Sequence, residues 1–90
     1  MEVTAARSGR SWTVRESGHE LGIITITHGG RHGHVFYSAW SAVDRQTRWD
    51  LAAHTTLEAA VDNIMQFSED PGAFEGRVHR VSAATVEKWR

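Results

Sequence analysis

Two apolar stretches, Leu-Gly-Ile-Ile-Thr-Ile-Thr-His at 21–28 and His-Val-Phe-Tyr-Ser-Ala-Trp-Ser at 34–41, flank a Gly-Gly-Arg-His-Gly segment. Both are rich in the β-branched and aromatic residues that fit a pleated surface, and the glycines between them permit the positive φ of a tight turn. A hairpin over Leu21–Ser41 is therefore predicted. Successive side chains of a strand point to opposite faces. Ile24 and Ile26 take one face, Leu21 and Ile23 the other; Val35, Tyr37 and Ala39 oppose Phe36 and Trp40 in the same way. Neither face is polar. Both need cover, from the rest of the chain or from another molecule.

The chain offers one strong helix for that purpose. Thr55-Thr56-Leu57-Glu58 matches a capping box with Thr55 as the cap and Glu58 three residues on. Leu57, Ala60, Val61 and Ile64, continued by Met65 or Phe67, then form one apolar stripe, and Pro71 cannot continue the helix. Upstream, strands are predicted at Trp12–Glu16, Glu20–His28, Gly33–Val43 and Thr47–Ala53, joined by short polar turns. Residues 1–11 are polar and predicted to be a flexible N-terminus, with a single domain over 12–90. The tail carries a short strand near Arg77–Val81 and a last helix over Ala83–Trp89 capped by Ser82. The predicted class is α+β: an antiparallel four-stranded meander, one main helix on one face, then a short strand and helix. The helix stripe covers one sheet face. The other is left to the tail (Val78, Val81, Val86, Trp89, with Phe74) or to a second chain packed sheet to sheet.

Composition narrows the function classes. The chain has no cysteine, which excludes disulfides, thiolate metal sites and a cysteine nucleophile. Met1-Glu2-Val3-Thr4 lacks the basic start and apolar run of a signal peptide, and no apolar stretch is long enough for a membrane span. The expected location is the cytoplasm. A net charge of −1 gives no global attraction to nucleic acid. Four Trp residues are many for 90 residues, and Trp favours wet-edged cores and interfaces.

Three constellations could carry chemistry. His28, His32 and His34 crowd the hairpin tip, and imidazole is the commonest metal ligand. They share a face only if His28 lies opposite His34, no carboxylate stands in the turn, and the spacing fits no zinc motif. No metal or cofactor is expected. Asp50 and His54 stand close enough in sequence for an acid–base dyad, but no nucleophile elbow, phosphate loop or metalloprotease helix accompanies them, and no catalytic residue is assigned. Arg31, Arg45 and Arg48 fall in or beside turns, with Tyr37, Trp40 and Trp49 on the strands between. Sheet aromatics with flanking Arg can stack bases and hold phosphates.

The stretch Arg48 to Leu57, a strand running into Thr-Thr-Leu-Glu-Ala-Ala, resembles the strand-to-helix step of the arm-type DNA-binding domains of phage integrases, over roughly a fifth of the chain. The basic richness of those domains is missing, and Glu20, Asp44 and Asp50 sit among the same strands. In style (Arg-rich, Lys-poor, Cys-free, with Tyr-Ser-Ala-Trp followed by Thr-Leu-Glu-Ala-Ala) the chain resembles small proteins of actinobacteria and their phages, a resemblance that implies a cytoplasmic accessory role. The reading that follows is a small non-enzymatic binding module. It acts through protein–protein contacts, as a homodimer through the second sheet face, with Phe36, Trp40, Ile24, Ile26 and Trp49 as contact residues. The alternative is a nucleic-acid binder using Arg31, Arg45, Arg48 and Tyr37.

Overall fold

A computed structural model describes all 90 residues. Strands β1 (Glu2–Ala5), β2 (Ser11–Glu16), β3 (His19–Gly29), β4 (His34–Ser41) and β5 (Thr47–His54) are followed by helix α1 (Leu57–Glu69). A 3₁₀ turn (Pro71–Phe74), strand β6 (His79–Ser82) and a short helix α2 (Ala83–Glu87) complete the chain. The sheet is an antiparallel meander in the order β1-β2-β3-β4-β5-β6. The α+β class and the meander agree with the sequence, but the strand count is six where four core strands were predicted. The reason differs at the two edges. All four β1 residues are exposed, so this strand is held by its backbone ladder to β2 and leaves no hydrophobic pattern to read. β6 was anticipated as a short strand, but only the tertiary pairing of Arg48 with Val81 shows that it joins the same sheet.

Pairing of the central hairpin fixes the faces. Ile24 lies opposite Ala39 and Ile26 opposite Tyr37 on the first face; Ile23 opposes Trp40, Thr25 opposes Ser38 and Thr27 opposes Phe36 on the second. Two β-bulges then reassign residues that simple alternation would misplace. Val14 pairs with Gly22 but Arg15 pairs with Glu20, so Leu21 is the extra residue and Glu20 turns to the second face. Ser38 pairs with Ala53 but Trp40 pairs with Asp50, and Ala52 takes a positive φ of 79° inside this bulge. Asp50 and His54 have the same parity, yet the bulge sends them to opposite faces.

Helix α1 packs on the first face. Its Ala60, Val61 and Ile64 join Val14, Ile24, Ala39, Leu51 and Phe74 in an eight-residue core. The cap is one residue later than predicted: Thr56 is extended and its Oγ1 accepts from the Ala59 N–H at 3.1 Å. Glu58 is then one position too early for a capping box, and the two adjacent threonines explain the ambiguity. Close approach depends on Gly22. A Cβ there would run into the Trp40 carbonyl oxygen and stand 2.9 Å from Ile64 Cγ2. Phe74, assigned on sequence to the second-face cover, belongs to this first core, edge-on to Phe67 at 5.3 Å, and Val78 packs against the same side.

The second face is covered by the tail. Val86 of α2, fully buried, meets Ile23 and Trp40 in a three-residue cluster flanked by Val81, and Trp89 lies against Trp40 with ring centroids 5.4 Å apart. α2 is five residues long, shorter than predicted, and Ser82 makes no side-chain cap bond. So small a helix covers only part of the face.

Candidate binding groove on the second sheet face

The second face is built largely of polar residues that are buried all the same. Ser11, Thr13, Thr25, Ser38 and Arg48 are at most 8 % exposed, and the strand pairings place all five there. Buried polar groups need partners. Thr25 Oγ1 accepts from Trp40 Nε1 at 3.0 Å, Thr27 and Ser38 hydroxyls meet at 2.7 Å, and Thr13 Oγ1 accepts from Arg90 at 3.0 Å.

Arg48 organises one end of this face. It is 2 % exposed, donates to the Ser41 carbonyl at 2.7 Å and to Glu20 at 3.2 Å, and stands 3.7 Å from the Glu87 carboxylate of α2. The Leu21 bulge delivers Glu20 to it, so one buried cation ties β3, β4 and α2 together. Its Nε has no partner. Arg90 fixes the other end of the tail, bonded to Glu87 at 2.8 Å and to Thr13.

Beyond α2 the face opens into a groove of about 760 Å³. Thr27 and Ser38 lie on its floor strands, Arg10 stands at the start of β2, and Lys88, Trp89 and Arg90 form the tail-side wall. None of its nine lining residues is acidic. Arg10 and Lys88 are exposed and make no ion pair, while Trp89 remains 49 % exposed. A second, smaller cleft on the other side runs beside Trp49, Phe67 and Pro71, where the Arg80 guanidinium stacks 4.8 Å over the Trp49 ring.

The structure separates the predicted contact residues. Ile24 is fully buried under α1, and Ile26 and Trp49 lie on that first face, partly buried. Trp40 is on the second face but 5 % exposed beneath α2, and Phe36 is half-buried on the same face; of the five, Ile26 and Trp40 line the groove and Phe36 does not. The predicted set is therefore not one surface, because it mixed residues of both parities.

The arginine set also comes apart. Arg31 and Arg45 stand beyond opposite ends of β4, an eight-residue strand about 26 Å long, and Arg48 is buried in ion pairs. Tyr37 packs edge-on against Trp12 on the first face.

At the hairpin tip His28 pairs with Val35 and Gly29 with His34, which places His28 and His34 on opposite faces. No group of three or more His, Asp or Glu side chains comes together in a way that could hold a metal ion. Asp50 accepts from the Ala52 N–H at 2.8 Å, and His54 meets Asn63 at 3.0 Å, whose amide also donates to the Leu51 carbonyl. Asp50 and His54 thus make two separate local contacts and no acid–base pair.

Sequence reasoning did not single out Arg10, Thr27, Ser38, Lys88 or Arg90. Two signals pointed to them: the hydroxyls of Thr25, Thr27 and Ser38 share one parity of the hairpin, and Trp89 is bracketed by Lys88 and Arg90. No helix is long and apolar enough to cross a membrane. Comparison of the chain with protein-family models, with curated proteins and with solved structures finds no match.

Proposed function

We propose that this chain is a small non-enzymatic binding domain that acts through a protein–protein contact at the open part of its second sheet face. The observation that carries the reading is the groove itself: a mixed floor of Ile26, Thr27, Ser38 and Trp40 beside a half-exposed Trp89 and two unpaired cations. Exposed Trp and Arg are the residue types that dominate interface energetics. The ionisable pairs elsewhere support binding over catalysis, since Asp50 and His54 make separate local contacts and His32 packs against His34.

A two-fold dimer through the same face has less behind it. Ile23 and Trp40, the apolar pair that sheet-on-sheet packing would bury, already lie under α2. Nucleic-acid binding is also less favoured. Arg90 is shared with Glu87 and Thr13, so the groove keeps two unshared cations, and one exposed aromatic makes a poor stacking platform.

A photoreactive side chain at Thr27 tests the reading, with exposed Glu58 on α1 as the control position. Crosslinking in cells that make the protein is expected to join Thr27, and not Glu58, to one defined protein. Label recovered in nucleic acid, or arising equally from Glu58, overturns it. A crosslink to the same chain identifies the partner as a second copy.

A further inference from the structure

The groove also carries a chemical preference, and this step rests on the protein-binding reading above. We propose that it takes an acidic, extended polypeptide segment, whose carboxylates meet Arg10, Lys88 and the outer side of Arg90 while its backbone runs over Thr27 and Ser38. Charge sorting across the molecule is the first argument. The groove has no acidic lining residue, although the chain has more acidic than basic residues overall. A local cationic strip on a near-neutral protein attracts an anionic partner without general affinity for polyanions.

Shape is the second argument. β2 leaves β3 after the Ser11–Thr25 pair, with Arg10 O accepting from Ile26 N at 3.2 Å, and β5 leaves β4 after the Tyr37–His54 pair. The β3–β4 ribbon therefore continues alone toward its tip, and a groove along such a ribbon fits an extended chain better than a compact ligand. Trp89 adds the apolar anchor. It is 49 % exposed at the wall and rests on Trp40, so a partner side chain can pack on it without moving the sheet.

Fluorescence anisotropy with three labelled probes tests this: a peptide of alternating Glu and Ser, its Gln-Ser counterpart, and a single-stranded oligothymidine of equal length, all at low salt. The Glu-Ser peptide is expected to bind and the Gln-Ser peptide not to. Arg10→Ala combined with Lys88→Ala is expected to weaken binding roughly tenfold or more, as loss of charge-assisted contacts does. Neither side chain is buried or ion-paired, so unchanged thermal unfolding verifies that the variant folds. Equal or tighter binding of oligothymidine that depends on the same two residues overturns the proposal in favour of nucleic acid. Failure of all probes, or binding indifferent to the variants, overturns the acidic occupant. If Thr27 still crosslinks to a protein in that event, the protein-binding reading survives and only its chemistry is wrong.

Discussion

The two faces of the sheet meet the same demand in different ways. On the first, a thirteen-residue helix with a continuous apolar stripe closes an eight-residue core. On the second, a five-residue helix contributes one fully buried side chain, and hydroxyls and one arginine fill much of what remains. The first face is sealed by area, at roughly 25 cal/mol per Å² of apolar surface. The second is held by directed bonds: Arg48 to Ser41, Glu20 and Glu87, Arg90 to Thr13, and Trp40 to Thr25. Such bonds stabilise modestly when made and cost more when half-broken. Apolar packing therefore concentrates on one face, and a partly open, polar surface remains on the other.

Four substitutions probe that contrast. Ile64→Ala, fully buried against Ile24 and Gly22, should have the largest effect, about 4 kcal/mol by denaturant unfolding, since large core side chains leave cavities when truncated. Arg48→Ala should follow at about 3 kcal/mol, the lower end for a broken buried pair, because Glu20 and Glu87 keep contact with water. If Arg48→Ala were neutral, the second face would not depend on its ion pairs. Val86→Ala should cost about 2 kcal/mol from two lost methyl groups and leave the α1 core intact. Hydrogen exchange should then show faster exchange confined to α2 and β6; global loosening would mean that the faces are not separable. Thr56→Ala should be the smallest, about 1 kcal/mol, with Thr55→Ala close to neutral, which verifies the position of the cap.

Simple alternation fails at two places for one physical cause. Sequence alternation assigns parity, and each bulge resets it. Glu20 reads as a residue of the Ile24 face until the extra Leu21 turns it toward Arg48. Asp50 and His54 share a face by simple alternation until the bulge at Ala52 separates them. No local signal announces either bulge: Ala at φ 79° is an uncommon choice for that conformation, and Leu21 looks like ordinary strand. The histidine tip was legible as an open question of register, and pairing Gly29 with His34 answers it. Arg48 illustrates a different gap. Arginine next to a turn reads as solvated, and only a helix brought back from the far end of the chain can bury it.

From the sequence alone followed the α+β class, the central hairpin, the α1 stripe and the need to cover both hairpin faces, because these rest on periodicities of a few residues. The question posed by the Leu21–Ser41 hairpin was whether the tail or another molecule covers its second face. Only the tertiary structure shows how far the tail reaches across it, since that depends on contacts between residues such as Thr13 and Arg90 at opposite ends of the chain. The tail covers Ile23 and Trp40, and its shortness leaves open the groove beside them.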